Sequence, residues 1–441
     1  MPRGKSSIGR HCLAGAVGVS WTSAVTPNQR DLPPSTALRE YADRIESDLR
    51  GNILPFWAAR AFDGAGAGPR IVGALTNDLQ LDSGAERGQL LAARILWTFS
   101  AAYARYRDPT YATVAELAAG ELDTWFWDRR HGGFRWSIHA NGSPARDRKQ
   151  IYGQAFGLYA LAEYHAATQR PEALARALQL FELIEAHGRD PVLGGYWEAF
   201  APDWSPITDV RLSEVDQNDP KSQNTHLHVM EAYARLLRCH PEPRLRASLA
   251  ALLDVMVTHV VQPAGHLGLF FTRDWKPTSE KVSFGHDIEA AWLMNDAADA
   301  VGDATLRARV HAVTRRLAEI TLARGVDVDG GVFNEGDPAG LTNTHKEWWP
   351  QTEAVIGFLD AYQHSGDARY LSAALRTWDF IDQRLIDRRH GEWFRGVTRA
   401  GALLDQELKI SFWKCPYHNG RAGLEAPRRL RAIADPALAH P

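Results

Sequence analysis

The chain has 441 residues, of which 45% are hydrophobic and 23% are charged, a composition typical of a globular protein with a sizeable core. Its formal net charge of −3 provides no basic surface for nucleic acid or anionic membranes. No apolar stretch reaches the roughly 18 residues of a bilayer span. Three cysteines without CxxC spacing favour reduced thiols and a cytoplasmic location.

The first 35 residues differ from the rest of the chain. Residues 1–25 combine a basic start with a middle rich in Ala, Gly and Val, which faintly resembles a secretory signal without its leucine-rich core. Residues 26–35 are polar and contain prolines, as in disordered linkers. We interpret residues 1–35 as a disordered extension or a mis-assigned start, residues 36–434 as one catalytic domain, and residues 435–441 as a tail.

A glycine followed by an aromatic residue recurs at steps of 62, 73, 63 and 60 residues. The copies lie at Gly133, Gly195, Gly268, Gly331 and Gly391, and a weaker copy surrounds Gly68. Pairs of helical runs lie between the copies, and such two-helix units bury their apolar faces only by stacking on neighbours. Six hairpins predict an all-α (α/α)6 toroid with an inner and an outer ring of helices. The glycine-aromatic segments then form short β-like loops at one end.

Polar residues near the beginning of each predicted inner helix follow the same period. Because equivalent ends of the inner helices face one cavity in a toroid, we expect these residues to form one pocket. They are Arg94, Tyr152, Asn224, His228, His286, Glu289, Trp349, Glu353, Trp413 and His418.

The run Asn224–Leu237 reads as a helix and contains two histidines, His226 and His228. Residues two apart on a helix point roughly 200° from each other, so these two cannot bind one ion side by side. His228 shares a face with Asn224 and Glu231, which predicts that it points into the pocket. His226 is expected to pack behind the site as a structural residue.

Several chemistries use histidines and carboxylates in one pocket. Three histidines could suggest zinc, but the chain has neither an HExxH helix nor a cysteine knuckle. The carboxylates Glu231, Glu289 and Glu353 could be the acid and base of a glycosidase. Glu231 and Glu289 instead follow a histidine by three residues, which is close enough to orient its imidazole or to form a structural salt bridge.

His286 and His418 both fall in the first turn of a predicted helix, where the helix dipole favours the neutral, proton-accepting imidazole. Histidine is a suitable base for a proton beside a carbonyl, and Arg94 can stabilise the resulting enediolate. Two bases and an arginine therefore indicate inversion at the carbon next to a carbonyl, in an aldose 2-epimerase or an aldose–ketose isomerase.

The chain resembles the N-acylglucosamine 2-epimerase superfamily, and within it most closely the cellobiose 2-epimerase branch. The resemblance covers residues 52–425. It rests on the motifs "ILPFW", "ARILWTFSAAY", "NTHLHVMEAY", "GHDIEAAWLM", "KEWWPQTEAVIGF" and "FWKCPYHNGRAGLE". The segment "GAGAGPRIVG" departs from the Gly-Gly-aromatic pattern of relatives.

The resemblance implies a role for each candidate residue. The acid/base histidines correspond to His286 and His418, the histidine that aids ring opening to His228, and the enolate-binding arginine to Arg94. Substrate contacts correspond to Tyr152 and Asn224, an orienting glutamate to Glu289, a sugar-contacting glutamate to Glu353, and aromatic walls to Trp292, Trp349 and Trp413.

The function implied is reversible 2-epimerisation of the reducing-end glucose of a β-1,4 disaccharide, without a metal or nucleotide. A mannose 2-epimerase or an aldose–ketose isomerase is the nearest alternative. A glycoside hydrolase of the same fold and a non-catalytic sugar-binding toroid are the others. We expect a carbohydrate as the only partner of a monomer or homodimer, with no nucleic acid and no membrane.

Overall fold

The computed structural model describes residues 33–64, 69–404 and 406–438. The described chain is mainly helical, and the predicted run at Asn224–Leu237 lies within one helix. The helices are α1 (Ser35–Asp48), α2 (Leu54–Arg60), α3 (Gln89–Tyr106), α4 (Pro109–Glu121), α5 (Ile151–Thr168), α6 (Pro171–Leu183), α7 (Gln223–Cys239), α8 (Pro243–Val255), α9 (Phe284–Val301), α10 (Ala304–Ile320), α11 (Trp348–Ser365), α12 (Ala368–Arg384) and α13 (Tyr417–Ala434).

These helices form two concentric rings. The inner ring contains α3, α5, α7, α9, α11 and α13, each packed on the next, and α13 closes the ring against α3. The helices α4, α6, α8, α10 and α12 pack outside, and α1 completes the outer ring by packing on α13. The predicted (α/α)6 toroid is confirmed, and its sixth hairpin joins the two ends of the chain.

The two rings differ in sequence because they differ in burial. The inner helix α5 is buried at every residue from Ile151 to Tyr164, since it has neighbours on nearly all sides. Its outer partner α6 buries only Ala173, Ala177, Leu180 and Phe181, the single apolar stripe of an amphipathic surface helix. The inner helices therefore form the core of the toroid, and the outer helices cover it.

Short antiparallel strands connect the units at the end of the toroid where the inner helices begin. Each of the strands β5, β8, β10, β12 and β15 leads directly into an inner helix and pairs with a strand of the following unit. The strands are β1 (Phe62–Asp63), β2 (Arg70–Ile71), β3 (Ala74–Leu75), β4 (Leu81–Asp82), β5 (Arg87–Gly88), β6 (Ser137–Ile138), β7 (Pro144–Arg146), β8 (Lys149–Gln150), β9 (Ala199–Phe200), β10 (Lys221–Ser222), β11 (Phe270–Phe271), β12 (Val282–Ser283), β13 (Glu335–Asp337), β14 (Gly340–Asn343), β15 (Lys346–Glu347) and β16 (Gly396–Val397).

The glycine-aromatic segments turn the chain into these strands. Gly195 has a φ of +74°, and a Cβ atom there would lie 2.5 Å from both His226 Nε2 and the Trp275 ring. Only glycine satisfies both the backbone angle and this close approach. The weaker copy at Gly68 lies outside the described residues.

A buried ion pair anchors several of these loops. Lys149, Lys221 and Lys346 each stand two residues before an inner helix and are fully buried. Their ammonium groups lie 2.8, 3.0 and 2.8 Å from Asp128, Asp190 and Asp327, respectively. Each aspartate precedes a glycine turn, so the pair fixes the loop of one unit to the strand that leads into the next helix.

The terminal helices of the toroid lie close to the ends of the described chain. The first helix begins at Ser35, α13 ends at Ala434, and a 3₁₀ turn follows at Pro436–Leu438. The extension 1–35 lies largely outside the described residues, and so does Cys12. Among the described residues, no helix is long and apolar enough to cross a membrane.

Candidate active site

A cavity of about 540 Å³ opens at the ends where the inner helices begin. Its volume lies within the range of small-molecule sites. Eight of the residues predicted from the sequence line its wall, contributed by all six inner helices and by the loop before α13. They are Arg94, Tyr152, Asn224, His286, Glu289, Trp349, Trp413 and His418.

Helix geometry explains why these residues converge. Tyr152, Asn224, Trp349 and His418 are the second residues of their helices, and His286 is the third. Arg94, His228, Glu289 and Glu353 are the sixth residues. Residues three or four apart share a helix face, so both levels of the ring point towards one axis. The first level lines the cavity, and part of the second lies deeper.

Hydrogen bonds orient each of the three histidines through Nδ1. His418 Nδ1 lies 2.7 Å from Glu353 Oε1, and His228 Nδ1 lies 2.9 Å from Glu231 Oε2. A carboxylate accepts only, so both rings donate from Nδ1 and leave Nε2 unprotonated. The partner of His286 is different, because its Nδ1 lies 2.9 Å from the hydroxyl of Ser283.

The environment keeps these imidazoles neutral. Burial, followed by repulsion from His228 and His418, lowers the pKa of His286 to about 3. Burial lowers the pKa of His418 to about 3 although Glu353 opposes the shift. Burial also lowers the pKa of His228. All three rings are therefore proton acceptors at neutral pH.

Arg94 carries a buried positive charge on the same cavity. Its side chain is only 3% exposed, and its Nη2 donates to the Tyr152 hydroxyl at 2.8 Å. The guanidinium lies 4.3 Å from the centre of the Phe156 ring, and its Nη1 lies 3.8 Å from Cys415 Sγ. Within the described part of the chain, no carboxylate pairs with this guanidinium. It is therefore available to an anionic oxygen in the cavity.

A second buried arginine, Arg421, lies below the cavity floor. Its Nη2 donates to Glu289 Oε1 and to Glu353 Oε1, both at 2.7 Å, and its Nη1 donates to Glu231. Oxygen or nitrogen atoms of Glu289, Glu353 and His418 lie within 4.8 Å of one another, as ligands of a metal ion would. Although burial opposes it, Arg421 and His418 lower the pKa of Glu353 to about 2, whereas burial and repulsion from Glu353 raise the pKa of Glu289 to about 8. Arg421 therefore keeps Glu353 ionised, and Glu289 is protonated at neutral pH.

Four predicted residues occupy positions that differ from their expected roles. Glu289 bonds to Arg421 rather than orienting His286, whose Nδ1 contacts the Ser283 hydroxyl. Glu353 is fully buried and holds His418 and Trp292 instead of reaching the cavity. Trp292 consequently lies behind the wall, with its Nε1 donating to Glu353 at 3.0 Å. His228 also lies one layer deeper, packed against the Tyr152 and Phe156 rings.

His226 lies on the other side of α7, as the helix phase predicted. It is fully buried, its Nδ1 donates to the Ser222 carbonyl at 2.6 Å, and its Nε2 accepts from the Tyr196 amide at 2.8 Å. Both ring nitrogens are therefore engaged with the backbone. His226 fixes the glycine-aromatic loop to the helix, and it does not reach the cavity.

The cavity also includes residues that the sequence reasoning missed. Glu198 and Asn334 line it, and each is the third residue after the last glycine of its Gly-Gly-aromatic loop. This shared position after the glycine could have identified both residues from the sequence. Trp348, Glu347 and Arg395 add further polar and aromatic surface.

Comparison with known proteins gives a consistent result. A model of the family described as N-acylglucosamine 2-epimerase (GlcNAc 2-epimerase) matches residues 71–420. Cellobiose 2-epimerase of Bacteroides fragilis is 39% identical over 386 residues, which cover 86% of this chain and 97% of that protein. Cellobiose 2-epimerase of Dictyoglomus turgidum is 33% identical over 395 residues, covering 89% and 100%. The solved structure of cellobiose 2-epimerase from Spirochaeta thermophila matches with a TM-score of 0.81 at 39% identity, covering 90% of this chain and 98% of that one.

Proposed function

The chain belongs to the N-acylglucosamine 2-epimerase family and is a carbohydrate epimerase, and we propose that it epimerises cellobiose or a similar β-1,4 disaccharide. The reaction inverts C2 of the reducing-end glucose and gives the corresponding mannose epimer. Relatives named cellobiose 2-epimerase, matched over nearly their full length, support this choice of substrate.

One observation carries the chemistry: neutral imidazoles line the same cavity as a buried guanidinium that has no carboxylate partner among the described residues. His286 and His418 are both neutral at the operating pH, so either can accept the proton at C2. When that proton leaves, its electron pair becomes part of an enediolate, whose negative oxygen pairs with Arg94. The other histidine, which has taken up a proton from solvent at its free ring nitrogen, delivers that proton to the opposite face of C2, and the first histidine loses the abstracted proton to solvent.

His228 fits an auxiliary role at the sugar's first carbon. Its Nδ1 is held by Glu231, while its Nε2 has no protein partner among the described residues. An imidazole in this state can accept the proton of the anomeric hydroxyl and so assist ring opening. Tyr152, Asn224, Trp349 and Trp413 line the same cavity and are proposed to hold the open chain.

The hydrolase alternative fits the carboxylates poorly. A glycosidase needs two carboxyl groups that reach the scissile bond. Glu231 and Glu353 instead lie behind imidazoles, and Glu289 and Glu353 share one guanidinium nitrogen. The cytoplasmic location and the monomeric or homodimeric state stay predictions from the sequence.

Incubating the enzyme with cellobiose in heavy water tests the proposal. We expect NMR to show a glucosyl-mannose product and deuterium at C2 in both epimers. Release of free glucose would favour a hydrolase, and binding without a change in the sugar would favour a non-catalytic toroid. Much faster turnover of free mannose or glucose than of cellobiose would reassign the chain to the mannose 2-epimerase or isomerase alternative.

A further inference from the structure

Arg421 connects three inner helices at the base of the site. It is the fifth residue of α13, is 1% exposed, and contacts Glu231 on α7, Glu289 on α9 and Glu353 on α11. Nη1 serves the first carboxylate and Nη2 the other two. A planar guanidinium fixes the directions of its N–H groups, so it also fixes where these carboxylate oxygens lie.

Two of those carboxylates are the partners of site histidines. Glu231 uses one oxygen for Arg421 and the Tyr417 hydroxyl and its other oxygen for His228 Nδ1. Glu353 Oε1 accepts from both Arg421 and His418 Nδ1. Arg421 therefore contacts the carboxylates that hydrogen-bond to His228 and His418, two imidazoles on different helices.

The charge of Arg421 is as important as its shape. Three buried carboxylates without a cation would take up protons, because burial disfavours the charged form. A protonated Glu231 or Glu353 could donate to the imidazole, and the ring proton would then move from Nδ1 to Nε2. In that tautomer, the nitrogen that should accept a substrate proton already carries one.

We propose that Arg421 is a positioning residue for the epimerisation, which keeps Glu231 and Glu353 ionised and oriented so that His228 and His418 carry their proton on Nδ1. This inference rests on the proposed function for its effect on turnover. Its effect on the histidine tautomers is a property of the ligand-free protein.

The variant Arg421→Lys keeps a positive charge but has one nitrogen in place of two, so it cannot hold all three carboxylates in the same geometry. We expect kcat on cellobiose to fall about 10- to 100-fold, the usual range for groups that orient site residues, with KM little changed. The matched control is Arg429→Lys. Arg429 is also buried on α13, but it pairs with Asp360 and contacts none of the three carboxylates. It should retain kcat.

The ¹⁵N chemical shifts of the imidazole rings provide the direct readout. In the ligand-free wild type, His228 and His418 should be protonated at Nδ1 only, and Arg421→Lys should shift both towards the Nε2–H tautomer. Nε2–H rings in the wild type would overturn the proposal without any variant, even if Arg421→Lys fails to fold. Unchanged tautomers and unchanged kcat in a folded Arg421→Lys protein would show that Arg421 forms only a structural ion pair. A wild type that epimerises no sugar would refute the proposed function, and the ring measurement would still test the tautomer assignment.

Discussion

His226 and His228 lie within one turn of α7, yet both nitrogens of the His226 ring bond to backbone groups, whereas His228 bonds to Glu231 through Nδ1 only. The two rings leave the helix in opposite directions, as residues two apart must. One therefore holds a loop, and the other keeps a free basic nitrogen beside the cavity wall.

Replacing each histidine with asparagine should separate these roles. We expect His228→Asn, His286→Asn and His418→Asn to lose at least about 10²-fold in kcat, the low end for a lost acid/base group, while circular dichroism shows them folded. His226→Asn should retain turnover and lose roughly 1–3 kcal/mol of unfolding free energy, because it leaves buried backbone groups without partners. A folded but inactive His226→Asn beside a fully active His228→Asn would invalidate the assignment of this helix face.

The variant Arg94→Met should lose activity without losing stability. Arg94 is a buried cation without a carboxylate partner, so methionine removes an unfavourable charge from the interior. We expect kcat to fall about 10²- to 10³-fold, as for a lost oxyanion donor, with the thermal midpoint unchanged or higher. The control is Arg429→Met, which removes the arginine partner of the buried Asp360 and should lower the midpoint. A strongly destabilised Arg94→Met protein would show that Arg94 contributes mainly to folding.

The sequence predicted the toroid and eight residues of the cavity wall because both follow a period. Glycine-aromatic loops and apolar helix pairs repeat, so helix order, ring closure and the inward direction of Arg94, Tyr152 and His286 could be inferred from one unit to the next. Some contacts between units repeat as well, such as the Lys149–Asp128 and Lys221–Asp190 ion pairs, but the contacts of Arg421 do not. Arg421 stands in the quoted motif "FWKCPYHNGRAGLE", but nothing local shows that its guanidinium meets carboxylates from three other helices.

The contacts of the glutamates were predictable only where both partners lie on one helix. A spacing of three residues from a histidine fits a hydrogen bond, and this holds for Glu231 with His228. The equivalent spacing failed for Glu289, which accepts from Arg421, while His286 Nδ1 contacts the Ser283 hydroxyl instead. Glu353 orients His418 from another helix, 65 residues away in sequence, and no local pattern encodes that contact.

Burial of His226 predicts a specific dependence of stability on pH. Burial lowers the pKa of His226 from 6.5 to about 4. As the pH falls, this histidine is therefore protonated near pH 6.5 in the unfolded chain but only near pH 4 in the folded chain. The contribution of this neutral ring is complete above pH 6.5 and is lost as the pH falls towards 4, by about 3 kcal/mol. Urea titrations at pH 7.5 and 4.5 should show a larger loss for the wild type than for His226→Asn. An equal loss in both proteins would contradict the shifted pKa.

Metal removal should leave the reaction intact. Glu289, Glu353 and His418 are close enough to bind an ion, but Arg421 donates to both glutamates. The positive charge of its guanidinium would repel a cation at that position. We expect prolonged dialysis against a chelator to leave kcat on cellobiose unchanged. Loss of activity that zinc or manganese restores would require these residues to be a ligand set.

The buried ion pairs beneath the glycine turns should contribute to stability rather than to chemistry. Lys221 is fully buried, and its ammonium donates to Asp190 at 3.0 Å and to the carbonyls of Gly194 and Arg273 at 2.8 and 3.0 Å. Lys221→Met removes all three bonds and leaves the buried Asp190 with only a longer contact to Arg273 Nε at 3.7 Å, at a cost of about 3–5 kcal/mol in unfolding free energy.

The matched control for that variant is Lys276→Met, which breaks an exposed pair with Asp274 on the same face. Water solvates both of these groups, so this change should leave the urea midpoint nearly unaltered. Turnover per folded molecule should stay close to wild type in both variants, since neither lysine lines the cavity. Equal urea midpoints for the two variants would show that burial of Lys221 adds nothing to the strength of its ion pair. A large drop in kcat for folded Lys221→Met would instead show that the strand entering α7 positions Asn224 and His228 through this pair.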